Sequence, residues 1–215
     1  MTPADIKATL MNTADPLNDK YSVYEVGAGL VNPYKAVHSQ TEIQVKDKTK
    51  TLSSDAKDAG SATLASKGIK TIKNITGALS FGEQAVDGKD LSDSRSMTLF
   101  NKSSEDKTYD VKVQFQTLDA RFTNDSRADQ DAAANGVTLD VNSSIKVKRY
   151  SSANMDATIN VPKSAKLGTY EGYVVYTNQK NPDETYKVPF AIHTVDEGID
   201  YVKGDPPAYS IPYEA

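Results

Sequence analysis

Two histidines are the residues through which this chain could carry out acid–base or nucleophilic catalysis. His38 and His193 are present and cysteine is absent, which excludes thiol nucleophiles, thiolate metal sites and disulfides. A serine triad needs a histidine within hydrogen-bond reach of its nucleophile and a carboxylate that orients the histidine. His38 adjoins Ser39, but sequence neighbours rarely face each other usefully, and His193 precedes Asp196 and Glu197 at a predicted strand end. We therefore expect no catalytic residue.

Acidic residues gather in two predicted loops and raise the question of a calcium site. One group is Asp87, Asp90 and Asp93, and the other is Asn124, Asp125, Asp129 and Asp131. Calcium requires about six to eight oxygen ligands at short range. Neither loop has the glycine and the terminal glutamate where an EF-hand loop needs them. The sequence favours solvated loops and predicts no cofactor or metal site, with calcium binding as the alternative.

A glycine-rich turn and several tyrosines are two further candidates for a ligand-binding site. Gly27-Ala28-Gly29 is too short for a phosphate-binding loop and predicts a tight turn in which side chains would clash. Exposed tyrosines could bind glycans or peptides, whereas a strand tyrosine more often fills half-buried surface with its hydroxyl in water. The tyrosines concerned are Tyr170, Tyr173 and Tyr176 on or beside one predicted strand, and Tyr21, Tyr24 and Tyr34 near the amino end.

Composition narrows the function classes. The 215 residues include 25 Lys and Arg against 29 Asp and Glu, for a net charge of −4. This balance argues against a general nucleic-acid binder, which usually carries a basic patch. No apolar run approaches the length of about 18 residues that a membrane span requires, and no signal peptide is expected in this sequence.

Two short helices are predicted near the amino terminus. Thr2 reads as an N-cap, with Pro3 at the first helical position and Asp5 at the positive helix end. Pro16 ends this helix, since the residue before a proline avoids helical geometry. Asn32 and Pro33 repeat the same start for a second helix that runs through Val37.

Most of the remaining sequence has the period of two that is typical of β-strands. Turn signals such as Asp87-Gly88, Asn135-Gly136 and Asn181-Pro182 separate these runs, which predicts an antiparallel β-sandwich. Residues 46–67 read as a loop or mobile connection, and residues 124–136 as a short helix or ordered loop. The alternating runs contain Ile43 and Val45; Leu79 and Phe81; Met97 and Leu99; Tyr109 to Phe115; Met155 to Val161; and Tyr186 to Ile192. A further strand is predicted at Ile69, Ile72 and Ile75.

Two segments resemble a known family. Residues 2–14, with the turn Val26 to Asn32 and the helix Pro33 to Val37, are similar to the end of the catalytic domain of subtilisin-like serine proteases. Residues 167–175 and 186–191 resemble the last strands of the fibronectin-III-like domain in cell-envelope subtilases, such as lactocepins, C5a peptidases and the minor extracellular proteases of bacilli. The Asp, His and Gly-Thr-Ser-Met-Ala motifs of the family are missing, and His38 matches no catalytic position.

The resemblance implies a domain organisation and a function. Residues 1–38 would be the end of a subtilase catalytic domain, residues 39–193 a fibronectin-III-like β-sandwich, and residues 194–215 a linker or tail. The chain would be a non-catalytic fragment of a protease secreted by a Gram-positive bacterium or held in its cell envelope. It would brace the absent catalytic domain and help to position protein substrates.

A second consequence concerns the apolar residues of the first segment. Ile6, Leu10, Val31 and Val37 would have evolved to pack against the absent domain, so they must be exposed, pack on the sandwich or pair with another copy. We expect self-association through residues 2–38, or mobility of this segment. The alternative function is a stand-alone adhesive or glycan-binding sandwich, which exposed coplanar tyrosines would favour.

Overall fold

The computed structural model describes residues 1–17, 21–52, 69–86, 88–116 and 131–196, with residues 48–52 and 69–73 described as backbone alone. The described chain forms three short helices followed by ten strands in two sheets. The predicted mainly β sandwich with a short helical segment before it is therefore confirmed. No helix in these ranges is long and apolar enough to cross a membrane.

The amino-terminal segment, residues 2–38, contains helices α1 (Pro3–Asn12), α2 (Val23–Val26) and α3 (Pro33–His38). Both predicted helix starts are confirmed. The Thr2 hydroxyl accepts from the Asp5 backbone N–H at 3.2 Å, and the Asp5 carboxylate accepts from the Thr2 N–H at 2.6 Å. Helix α2 was not predicted from the sequence, although Ser22 and Glu25 form the same reciprocal cap, whose spacing is a recognisable start signal.

Two five-stranded sheets face each other. The first sheet has the order β2-β1-β4-β8-β6 and the second has the order β3-β10-β9-β5-β7. Neighbouring strands are antiparallel except β3 and β10, which are parallel. The strands are β1 (Thr41–Leu52), β2 (Ile69–Thr76), β3 (Leu79–Ala85), β4 (Leu91–Asn101), β5 (Lys107–Gln116), β6 (Thr138–Asp140), β7 (Ser144–Val147), β8 (Ser151–Val161), β9 (Gly168–Asn178) and β10 (Thr185–Val195).

The core lies between the sheets and follows the period of two. Alternate residues of a strand point to one face, so most of the alternating runs contribute apolar members to the same layer, whereas Ile75 of β2 is 39% exposed. Met97 and Leu99 of β4 are fully buried, as are Val188 and Ile192 of β10. Other buried members are Ile43, Val45, Leu79, Phe81, Tyr109, Val111, Met155, Ala157, Ile159, Val161, Val174 and Phe190.

Two parts of the sequence fold differently from expectation. Residues 46–52 were predicted as loop, but they continue β1 and pair with β2 from Ile75 to Ile69. Lysine and aspartate are poor strand formers, so the pairing partner rather than local propensity decides this stretch. The short strands β6 and β7 were not predicted. The rest of the predicted connection, most of the 124–136 insertion and the tail beyond Asp196 lie outside the described residues.

The chain passes from one sheet to the other at Gly77 and Ala78. Strand β2 is an edge of the first sheet and β3 is an edge of the second, so this crossover closes one side of the sandwich. A Cβ on Gly77 would lie 3.0 Å from the Met11 Cβ and 3.3 Å from the Ala8 Cα. Helix α1 therefore packs directly against the crossover, which glycine permits.

Candidate functional site at the junction of the amino-terminal segment and the sandwich

The two histidines occupy separate surroundings. His38 is exposed at the end of α3, where its Nδ1 lies 2.8 Å from the Tyr34 carbonyl and its ring stacks on Tyr34 at 4.2 Å. The Ser39 hydroxyl donates to the Thr41 carbonyl at 2.6 Å. His193 in β10 lies 2.9 Å from the Thr169 hydroxyl of β9. Among the described residues, neither imidazole is hydrogen-bonded to a serine or to a carboxylate.

The acidic residues of the predicted loops have local protein partners where they are described. Asp90 accepts from the Lys163 N–H, Asp93 from Arg95 and Gln84, and Asp131 from the Ala134 N–H. Asp87, Asn124, Asp125 and Asp129 lie outside the described residues. Within the described ranges, no three His, Asp or Glu side chains come together in a group that could hold a metal ion.

The Gly27-Ala28-Gly29 turn is a close contact between two stretches of backbone. Gly27 and Gly29 have φ angles of 55° and 116°, which favour glycine. A Cβ on Gly29 would lie 2.1 Å from the Asp15 carbonyl oxygen. Asp15 and Leu30 exchange backbone hydrogen bonds of 2.8 and 2.9 Å across this approach. The glycines therefore serve the tight turn that the sequence predicts.

The tyrosines of β9 divide between the two faces of the second sheet. Tyr170 and Tyr176 are fully buried in the core, where their hydroxyls donate to the Lys166 carbonyl and the Met97 sulfur. Tyr173 lies on the opposite face, half-buried, and donates to the Gly27 carbonyl at 3.0 Å. These three side chains do not form an exposed aromatic row. Tyr21, Tyr24 and Tyr34 of the amino-terminal segment are exposed.

Asn12 joins helix α1 to both sheets. Its side-chain oxygen accepts from the Ile43 N–H of β1 at 2.8 Å, and its side-chain nitrogen donates to the Lys187 carbonyl of β10 at 3.3 Å. The side chain is buried. Strand β2 ends opposite Val45 and β3 begins opposite Phe190, so Ile43 and Lys187 lie just beyond the neighbouring strands. Asn12 completes the backbone hydrogen bonding at both places.

A second set of contacts fixes helix α2 on the outer face of the second sheet. The carboxylate of Glu171 in β9 accepts from the Val23 backbone N–H at 3.0 Å, at the amino-terminal end of the helix. Glu171 is almost fully buried. Tyr173, two residues further along β9, bonds to Gly27 just after the helix. The amino-terminal segment is thus held to the sandwich at several points along its length.

The amino-terminal segment also exposes several apolar side chains. Val37 is 81% exposed and Leu30 is 63% exposed, while Ile6 and Val31 expose about half of their surface. Leu10 is partly buried. We name the four exposed residues Ile6, Leu30, Val31 and Val37 the apolar surface. Of the outcomes expected for Ile6, Leu10, Val31 and Val37, exposure applies to all but Leu10.

A cavity of about 580 Å³ lies between the amino-terminal segment and the second sheet. Pro16, Tyr34 and His38 line it on one side, and Val175, Tyr186 and Lys187 line it on the other. Its volume is within the range of about 300–1,000 Å³ that is typical of small-molecule sites. No sequence signal identified this cavity, because its two walls come from distant parts of the chain.

Glu184 organises a polar network at one end of the cavity. Its carboxylate accepts from Lys107 at 2.6 Å, from Asn178 at 2.6 Å, and from the hydroxyls of Tyr109 and Tyr186 at 3.0 Å each. Burial acts to raise the pKa of Glu184, but the hydrogen bonds from Lys107 and Asn178 outweigh it and hold the pKa below its usual range. Burial raises the pKa of Tyr186 to about 12.

Comparison with known proteins identifies no family. No family model matches the chain. No curated protein matches it either.

Solved structures with a similar architecture are distant in sequence. A PapD-like domain of human CEP192 is 13% identical, covers 55% of this chain and 82% of that chain, and gives a TM-score of 0.38. The CooA pilin subunit of enterotoxigenic Escherichia coli is 7% identical, covers 56% of this chain and 90% of that chain, and gives a TM-score of 0.36. A family 123 glycoside hydrolase from Clostridium perfringens is 12% identical, covers 55% of this chain and 23% of that chain, and gives a TM-score of 0.37. This chain therefore spans less than a quarter of that enzyme. These values describe fold likeness alone.

Proposed function

We propose that this chain is a non-catalytic accessory part of a secreted or cell-envelope subtilisin-like serine protease of a Gram-positive bacterium. It braces the catalytic domain and helps to position protein substrates. One observation carries the proposal. The amino-terminal segment is held to the sandwich through Asn12 and Gly27, yet it leaves the residues of the apolar surface exposed. The catalytic domain covers that surface.

The energetics of exposed apolar groups support a partner. Complete burial of a valine, leucine or isoleucine side chain stabilises a protein by about 1.5–3 kcal/mol relative to exposure. Single exposed apolar residues are ordinary, but several on one ordered segment are typical of an interaction surface. The resemblance of residues 2–14 and 26–37 to the end of a subtilase catalytic domain supports a partner for this segment, the remainder of that domain.

Catalysis in this proposal belongs to the partner domain. His38 stacks on Tyr34 and His193 bonds to Thr169, so neither is prepared to activate a serine. The alternative function, an adhesive or glycan-binding module, is less favoured. Tyr170 and Tyr176 lie inside the core, where they are unable to contribute to an exposed aromatic platform.

The family assignment is tested by sequencing the genomic reading frame on both sides of this segment. We expect the frame to encode a Gly-Thr-Ser-Met-Ala motif shortly before Thr2. A frame that encodes an unrelated domain there would overturn the proposal. The non-catalytic role is tested by incubating the chain with casein and with a serine-directed fluorophosphonate probe. Labelling of any serine in the chain would contradict that role.

The bracing role is tested in the protein encoded by the complete reading frame. Val37→Asp places a charge on the apolar surface, and we expect the protease to lose activity at a lower temperature. Ser152→Asp adds the same charge at an exposed position of β8 and serves as the control. Equal inactivation temperatures for both variants and the parent would exclude Val37 from a domain interface.

A further inference from the structure

The cavity at the junction is lined by a lysine, Lys187, that has no direct ion-pair partner among the described residues. Lys35 is paired with Asp15 at 2.5 Å, and Lys107 with Glu184 at 2.6 Å. The Lys187 ammonium forms no direct ion pair or hydrogen bond with any described residue and faces the Tyr173 ring at 5.1 Å. It interacts at longer range with the Asp15 carboxylate and the Lys35 ammonium, which are paired with each other. Because the Asp15–Lys35 pair is neutral overall, the half-buried Lys187 leaves a net positive charge beside a small-molecule-sized space, which suits an anionic ligand.

The position of Lys187 is fixed before any ligand arrives. Its carbonyl accepts from the side chain of Asn12, and Tyr173, which its ammonium faces, is held by Gly27. Burial lowers the pKa of Lys187, because the charged form loses hydration. A bound anion would replace that hydration. A fixed cation also loses little conformational entropy when it binds, which favours affinity.

The remaining wall defines the rest of the ligand. Pro16 and Val175 supply apolar surface, and the ring of Tyr34 stacks on His38 at the rim. Asp183 is exposed on the same wall and disfavours a ligand with several negative charges. We propose that this cavity binds a small organic monocarboxylate with an apolar or aromatic body, and that Lys187 pairs with its carboxylate. The proposal does not depend on the protease assignment.

Isothermal titration calorimetry on the full chain tests the proposal with N-acetyl-phenylalanine and N-acetyl-phenylalaninamide. The two probes have the same body, but the amide lacks the carboxylate. We expect saturable binding of the acid and binding of the amide that is roughly ten- to hundred-fold weaker, as for loss of one charge-assisted contact. Absence of saturable binding of the acid, or equal affinity for both probes, would overturn the proposal.

Variants separate the role of Lys187 from a general charge effect. Lys187→Met retains the aliphatic stem and is expected to weaken binding of the acid to the level of the amide, while Lys187→Arg retains most of the affinity. Lys112→Met is the matched control, since register places Lys112 opposite Val175 on the neighbouring strand and its side chain is exposed. Circular dichroism verifies folding. Unchanged affinity in folded Lys187→Met, or an equal loss in Lys112→Met, would refute the assignment.

Discussion

The side-chain oxygen of Asn12 lies 2.8 Å from the backbone nitrogen of Ile43 and accepts its hydrogen bond. This contact occupies the edge of β1 where β2 no longer pairs with it. The same side chain donates to Lys187, at the point where β10 has no β3 partner. One residue of a short helix therefore supplies a hydrogen-bond partner to one backbone group in each sheet, because each buried backbone group needs a partner.

Replacement of Asn12 by alanine is expected to destabilise the chain by about 1–3 kcal/mol, because it leaves the Ile43 N–H without its partner. Urea unfolding followed by circular dichroism measures the change. Lys7→Ala alters an exposed position of the same helix and is expected to change stability by less than about 0.5 kcal/mol. If the two variants are equally stable, the role assigned to Asn12 is wrong.

Gly172 permits the close approach of β5 and β9. A Cβ at this position would lie 2.0 Å from the Gln114 carbonyl oxygen, so Gly172→Ala forces the two strands apart. We expect a loss of about 1–3 kcal/mol or more, as for overpacking in a core. Thr177→Ala in the same strand provides the comparison. Thermal unfolding midpoints that match for both variants would show that β5 accommodates the methyl group without cost.

Acidification is expected to remove the stabilisation that Glu184 supplies. Its folded-state pKa lies below the ordinary value of 4.5, so the contribution is present above that pH and is lost as the pH falls through the folded-state pKa. Urea unfolding across this acidic range should show a steeper loss of stability for the parent chain than for Glu184→Gln. Identical pH profiles would mean that Glu184 does not couple proton binding to folding.

Alkaline conditions are expected to destabilise the chain through buried tyrosines. Burial raises the pKa of Tyr186 from its ordinary value of 10.0 to about 12, and raises those of Tyr109 and Tyr176 further. Because the folded state binds the tyrosine proton more tightly than the unfolded state, its contribution to the free energy of unfolding is fully present below pH 10.0. This contribution is lost as the pH rises toward the folded-state pKa. Tyrosinate absorbance should therefore appear together with unfolding. The Tyr186→Phe variant should lose less stability between these two pH values; a profile equal to the parent's would contradict this.

The apolar surface is expected to promote self-association of the chain at high concentration, since isolated exposed patches of this kind favour contact between copies. Sedimentation equilibrium measures the effect. Val31→Lys combined with Val37→Lys should shift the chain toward monomer, whereas Ser151→Lys combined with Ser152→Lys should not. A parent chain that stays monomeric at all concentrations would show that the surface is too small for self-pairing.

Much of the architecture was determined by the sequence itself. Thr2 with Asp5 and Asn32 with Pro33 mark helix starts through contacts between residues three or fewer positions apart. In β4, β8 and β10 apolar residues recur at every second position, which places them on one face because successive side chains of a strand point to opposite faces. These signals are local, so the sequence alone predicts them, and with them the mainly β sandwich.

The junction was decided by the tertiary structure. Asn12 contacts residues that lie 31 and 175 positions away in the chain, and Val23 contacts a carboxylate 148 positions away. Residues 46–52 became strand because β2 lies beside them, against their own propensity. The cavity exists, with Lys187 on its wall, because two distant segments meet. No periodicity or spacing encodes such a meeting, since it depends on how whole sheets pack.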